Sequence, residues 1–202
     1  MIWYEEEVKR VELLKEQITF TPETLFYGSS SIRLWTSLQE DFKAYQPVNL
    51  GFGGSTLAAC VWFFERILSS YQPKRMVFYA GDNDLGDGRH PEEIFIFFQQ
   101  LVTQWNNQFP GIPFYFISIK PSPARWDIVT KIQYTNQLVR SYLAEAGPAF
   151  QYINISDAML DKAGKPLPHL FQEDGLHLSK DGYAVWKEAV QQALATPLLK
   201  IP

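Results

Sequence analysis

The chain of 202 residues has one cysteine, three histidines and no long apolar run. A single cysteine, Cys60, excludes a disulfide within the chain and any cysteine-based zinc cluster. It falls in the apolar stretch Leu57 to Phe64 and reads as a small buried hydrophobe. No stretch approaches the roughly 18–20 apolar residues that a membrane span needs. The acidic start Met1-Ile2-Trp3-Tyr4-Glu5-Glu6-Glu7 lacks the basic and apolar regions of a signal peptide, so a soluble, cytoplasmic protein is expected. A surplus of positive charge is missing too. With a net charge of −4 and scattered lysines and arginines, nucleic acid is not an expected partner, because phosphate binding wants clustered bases. Low-complexity tracts, internal repeats and linkers are also absent, and the length suits one domain over residues 1–202.

What is present is an alternation. Short runs rich in β-branched and aromatic residues lie at Thr24 to Tyr27, Val48 to Leu50, Arg75 to Ala80, Pro113 to Ile119 and Phe150 to Ile155. Several are apolar on both faces, as strands covered by helices on two sides must be. Helical patterns fall around them, at Glu5 to Gln17, Ser55 to Ser69, Pro91 to Phe109, Trp126 to Glu145 and Ser179 to Ala195. Another helix is expected to begin with Ile32, Leu34 and Trp35. Alternating strands and helices predict an α/β fold, a three-layer α/β/α sandwich around a parallel sheet. Five strands fit the flavodoxin-like order 2-1-3-4-5, whose ligand crevice lies beyond the carboxyl ends of the strands, at the switch between strands one and three.

The loops expected at that crevice carry the chemistry. Ser30, in Gly28-Ser29-Ser30-Ser31, follows the first strand, where a hydroxyl is exposed and a backbone N–H lies near a positive helix end. Alone, such a serine cluster is usually a helix cap. The Gly-x-Ser-x-Gly elbow of α/β-hydrolases does not fit, since Ile32 takes the place of the second glycine. After the second strand comes Asn49-Leu50-Gly51-Phe52-Gly53-Gly54. It lacks the lysine of a P-loop, and Thr56 stands where a dinucleotide fingerprint needs glycine. Its glycines can instead aim N–H groups at a developing oxyanion, with Gly54 the foremost candidate. Asn83, in Gly81-Asp82-Asn83-Asp84, could add a side-chain donor, although asparagine after a strand is also an ordinary turn residue. Asp82, Asp84 and Asp87 do not match a calcium loop, so no metal site is expected.

Only three histidines compete for the base. His90 precedes a helix-starting proline and His169 sits between Pro168 and Leu170, both surface-loop positions. His177 follows Asp174 by three residues, just before the last helix, so the carboxylate can hold the imidazole's tautomer while the other ring nitrogen faces Ser30.

These four blocks, in this order, resemble the SGNH hydrolase superfamily, the GDSL-type lipases and esterases, over Leu25 to about Trp186. The resemblance implies a flavodoxin-like fold and ester cleavage without metal or organic cofactor. It implies Ser30 as nucleophile, Asp174 and His177 as its triad partners, and the Ser30 amide, Gly54 and Asn83 as the oxyanion hole. It also ranks Asn83 above an ordinary turn asparagine. The family usually has aspartate before its nucleophile, where this chain has Ser29. That carboxylate is outside the triad, so catalysis is still expected, with the nucleophile turn held differently. The expected activity is a serine esterase acting on a small-molecule ester with a short acyl group, such as acetyl on a carbohydrate or aryl alcohol. A lysophospholipase or thioesterase, and a non-catalytic binding module on the same scaffold, are the alternatives. Arg125 and Trp126, after strand four, are expected at the rim as substrate contacts, and the aromatic content leaves surface for a homodimer.

Overall fold

Strands that are apolar on both faces need cover on both faces, and the computed structural model, which describes residues 1–196, supplies it. Five strands form one all-parallel sheet in the order β2-β1-β3-β4-β5: β1 (Thr24–Gly28), β2 (Pro47–Gly51), β3 (Arg75–Tyr79), β4 (Phe114–Ile117) and β5 (Phe150–Ile153). The α-helices are α1 (Glu5–Gln17), α2 (Ser30–Arg33), α3 (Leu38–Asp41), α4 (Leu57–Leu68), α5 (Asp82–Gly86), α6 (Pro91–Gln108), α7 (Val129–Ala146) and α8 (Lys180–Ala195). Among the described residues, no helix is long and apolar enough to cross a membrane.

The period of two along each strand sorts its side chains between two cores. Leu25, Tyr27, Leu50, Met76, Phe78, Phe114 and Phe116 face one side, under α1, α4, α6 and α7. Phe26, Val77, Tyr79, Tyr115, Ile117 and Ile153 face the other, where they meet Ile32, Trp35, Leu38 and Phe42 and, from α8, Trp186 and Val190. Helix starts follow local chemistry. The Thr56 hydroxyl caps α4 by accepting from the Ala59 N–H, and the Ser179 hydroxyl caps α8 by accepting from the Gly182 N–H. Pro91 opens α6 with Glu92 and Glu93 in its first turn, where acids oppose the helix dipole.

Three stretches depart from the sequence expectation. The helix after β1 stops at Arg33, so Leu34 and Trp35 lie beyond it. Trp35 leaves the helical path because its ring packs against Phe26, Phe42 and Trp186 while its Nε1 donates to Asp41 Oδ2 at 2.9 Å. Asn83 stands in a helical turn, α5, rather than in a loop. Finally, α7 begins at Val129, and Trp126 belongs to a preceding 3₁₀ segment, Pro123–Ile128, that is bent at Arg125.

Candidate active site

The carboxyl ends of β1, β2 and β3 come together with almost no room between them. Gly28, Gly51 and Tyr79 are aligned across these three strands. A Cβ on Gly28 would lie 1.9 Å from the Tyr79 carbonyl oxygen, and Gly28 holds φ at +136°, so only glycine fits. The chain leaves β1 there through Ser29, whose N–H donates to the Tyr79 carbonyl at 2.9 Å. The Ser29 carbonyl accepts from the N–H groups of Ile32 and Arg33. Where a carboxylate was the family expectation, the backbone of Ser29 holds the turn. Ser30 is the first residue of α2, so its N–H has no partner within the helix.

Ser30 is met by the loop before α8. His177 Nε2 lies 3.2 Å from Ser30 Oγ, and His177 Nδ1 lies 2.6 Å from Asp174 Oδ2. A carboxylate at Nδ1 makes that nitrogen the donor and leaves Nε2 to accept from the serine hydroxyl. The other carboxylate oxygen, Asp174 Oδ1, accepts from the N–H groups of Leu176 and His177 at 2.8 and 2.9 Å. Partial burial pushes the Asp174 carboxyl up, but the hydrogen bond from His177 and these two amides outweigh it and bring the group down to about 2. The side chains of His177 and Asp174 are 27% and 46% exposed, so the pair faces the solvent side of the site. His90 and His169 are both exposed, and the hydrogen bonds to Ser30 and Asp174 belong to His177.

Two further groups follow the carboxyl ends of the neighbouring strands β2 and β3. Gly54, exposed and at φ +68°, ends the glycine turn after β2, and its N–H has no acceptor among the described residues. The Asn83 side chain donates from Nδ2 to the Ser55 carbonyl at 3.0 Å, which ties α5 to the glycine turn and leaves its second N–H free. Asp84 makes a second tie, because its Oδ2 accepts from the Leu57 N–H at the start of α4 at 2.8 Å. Burial pushes the Asp84 carboxyl up to about 6, against the lowering effect of the Leu57 and Asp84 amides.

Below Asn83 lies a cluster of buried charge that sequence reasoning missed. Lys120 is 1% exposed, and its ammonium pairs with Asp82 Oδ2 and donates to the Tyr79 hydroxyl at 3.2 Å. Arg125 completes the cluster. Its guanidinium donates to the Asp82 carbonyl, lies 3.4 Å from Asp82 Oδ1, and reaches Asn83 Oδ1 at 3.4 Å. Arg125, expected at the rim, is thus engaged by α5. Trp126 is half-buried, with the Lys165 ammonium 4.7 Å from its ring centre. The Lys120–Arg125 segment also touches the loop of Asp174 and His177, where the Ala124 N–H donates to the Gly175 carbonyl at 3.0 Å. One sequence signal for the cluster existed: a lysine at the end of the largely apolar run Pro113 to Ile119 needs a buried anion if it is to stay in the core.

A model of the GDSL-like Lipase/Acylhydrolase family matches residues 23–185. No curated protein matches the chain in sequence. Among solved structures, the chain is similar to a Streptococcus pneumoniae protein provisionally described as a platelet activating factor, at TM-score 0.82 and 22% identity over 95% of this chain and 94% of that one. It is similar to a GDSL-like lipase from Bacteroides thetaiotaomicron, at TM-score 0.78 and 20% identity over 95% and 96%. It is also similar to a carbohydrate esterase of family 3 from Talaromyces cellulolyticus, at TM-score 0.66 and 15% identity over 85% and 95%. At these identities the likeness is one of fold.

Proposed function

The chain belongs to the GDSL-like Lipase/Acylhydrolase family, and on that premise we propose that it is a serine esterase cleaving carboxylic esters with short acyl groups. The observation that carries this reading is the unbroken series from Asp174 through His177 to Ser30, with contacts of 2.6 and 3.2 Å. Ser30 attacks the acyl carbonyl while His177 takes its proton, and Asp174 holds the imidazole and balances its charge. The Ser30 amide, the Gly54 amide and the Asn83 side chain receive the oxyanion. His177 then protonates the leaving alcohol, and water releases the acyl group by the same route in reverse. In this scheme the protein's own groups supply the base, the acid and the oxyanion donors. Arg125 acts through Asn83, whose amide it helps to orient, while Trp126 is a candidate substrate contact at the rim.

The preference for a short acyl group rests on the brevity of the connections after β1, β2 and β3. Ser29 alone separates β1 from α2, Phe52 to Thr56 separate β2 from α4, and Ala80 and Gly81 separate β3 from α5. Such segments offer little wall for a long alkyl chain. The fold-level likeness to a carbohydrate esterase favours an acetylated sugar as one natural substrate.

The test is hydrolysis of p-nitrophenyl acetate, butyrate and octanoate by the wild type and by Ser30→Ala. The acetate should be the best substrate, and Ser30→Ala should lose roughly three or more orders of magnitude in kcat. Equal rates for the two proteins would sink the mechanism. A preference for octanoate would sink the short-acyl assignment alone.

A further inference from the structure

We propose that Tyr4 and Glu7, at the start of the helix that precedes the family-matched stretch, are positioning residues for the Gly54 amide; this deepens the reading of that amide as an oxyanion donor and rests on it. The argument begins with the peptide planes of the glycine turn. The Gly53 N–H donates to Glu7 Oε2 at 2.9 Å, which fixes the plane joining Phe52 to Gly53. The Tyr4 hydroxyl donates to the Gly54 carbonyl at 3.1 Å, which fixes the plane joining Gly54 to Ser55. Between them lies the plane that carries the Gly54 N–H. With both neighbours held, the Cα atoms at its two ends are fixed, and of the motions open to adjacent glycines only a compensated flip of this single plane remains. Adjacent glycines otherwise give the freest backbone available, so donors here need an external hold if they are to be pre-aimed.

The hold is itself well anchored. The Tyr4 ring is 8% exposed and packs edge-on against Phe52 and Phe63, with ring centres 5.7 and 6.4 Å away. Glu7 Oε2 also meets Arg33 Nε at 2.7 Å and Arg10 Nη2 at 3.4 Å, and Arg10 donates to the Gly51 carbonyl at 2.7 Å. Arg33 closes the one-turn helix that Ser30 opens. One carboxylate therefore links the nucleophile turn and the glycine turn, and α1 sets their spacing. Residues 1–22, which carry this brace, lie outside the family match.

The experiment compares Tyr4→Phe, Glu7→Ala and Glu7→Gln with the wild type, Ser30→Ala and a control, Glu6→Gln, whose carboxylate is exposed and meets only Lys9. Two quantities are read: kcat and KM for p-nitrophenyl acetate, and Ki for a short alkylboronic acid. In the boronate complex Ser30 Oγ bonds to boron, its proton passes to His177, and a boronate oxygen falls where the oxyanion would be. Tyr4→Phe should lower kcat about 10-fold and Glu7→Ala about 30-fold, with KM within about twofold and Ki weakened by matching factors. Glu7→Gln, which keeps an acceptor for the Gly53 N–H, should recover most of the loss, and Glu6→Gln should behave as wild type. A merely structural role would lower Tm and leave kcat and Ki of the folded protein unchanged. Changes under about threefold in both, beside an inactive Ser30→Ala, would overturn the inference alone. Equal slowness of wild type and Ser30→Ala would overturn the mechanism and the inference with it. Tyr4→Phe and Glu7→Gln are near-isosteric, so both keep the test open if Glu7→Ala fails to fold.

Discussion

Ser30, Gly54 and Asn83 stand just past the ends of strands whose residues are almost all buried, whereas Asp174 and His177 ride on a solvent-facing loop. The first group is held by contacts from far along the chain: Tyr4 reaches Gly54 and Arg125 reaches Asn83, while Glu7 and Lys120 hold their neighbours Gly53 and Asp82. The second is held mostly by itself. The Gln172 N–H donates to the His177 carbonyl, the Gly175 N–H to the Gln172 carbonyl, and Asp174 binds the two amides that follow Gly175. Asp174 and His177 thus form a local turn that carries its geometry with it, while the proposed nucleophile and oxyanion donors inherit theirs from the core. Damage to the first half should therefore cost activity and stability together, and damage to the second should cost activity alone.

Asp174→Asn is the sharpest way to break that contrast. It should lower kcat about 10⁴-fold by spoiling the imidazole tautomer, while Tm moves by no more than about 2 °C, since the side chain is half exposed. A large fall in Tm, read by thermal unfolding, would erase the distinction. On the other side, Lys120→Met leaves the Asp82 carboxylate buried without its ammonium partner. It should cost about 3–5 kcal/mol of stability in denaturant unfolding and reduce activity as well, because Asp82 and Asn83 share α5. Unchanged unfolding midpoints would show that the buried charge is not a strut. Asn83→Ala should lower kcat by roughly 10²–10³ with little change in KM, as expected for a donor used only in the transition state.

The smallest effect concerns Asp84. Its carboxyl is raised to about 6 in the fold, from an ordinary value of 3.8, so the folded state holds this proton more tightly than the unfolded one. Its contribution to stability is full below about pH 4 and is lost as the pH rises through about 6, a decline of roughly 1–3 kcal/mol. Tm followed from pH 4 to 8 should show this component in the wild type and lack it in Asp84→Asn. A pH profile shared by both proteins would place the titration elsewhere.

The division between local and inherited geometry also governs what the sequence reveals. The β–α alternation is readable because apolar period and turn chemistry are local, whereas the strand order follows from the flavodoxin-like pattern and the weight of the four loop blocks from the family resemblance. The 2-1-3-4-5 sheet forms as expected, and Asp174 and His177 announce their pairing by a spacing of three. Trp35 misleads because its destination, an aromatic cluster with Trp186, lies at the other end of the chain. Glu7 and Tyr4 give no signal at all, since a first-turn acid and an aromatic beside a helix start are ordinary features of a surface helix. Arg125 is expected at the rim, and the structure has its guanidinium on Asp82 and Asn83; which way it turns depends on those partners, and no spacing encodes that.

The glycines that line the strand ends have a consequence for how this chain can vary. A methyl group at position 51 would come within 2.4 Å of the Arg33 nitrogen, and one at position 28 would strike the Tyr79 carbonyl. At position 54 a Cβ meets nothing within 4 Å, and only the left-handed backbone resists replacement. In a saturation library, therefore, 28 and 51 should return glycine alone, while 54 should admit asparagine and, at some penalty, aspartate. Variation in this wall is confined to its outer pair, Gly54 and Gly53, where an added Cβ meets nothing or makes only ordinary contacts with Glu7 and Arg33, and there inheritance can alter what the wall touches without moving the strands behind it.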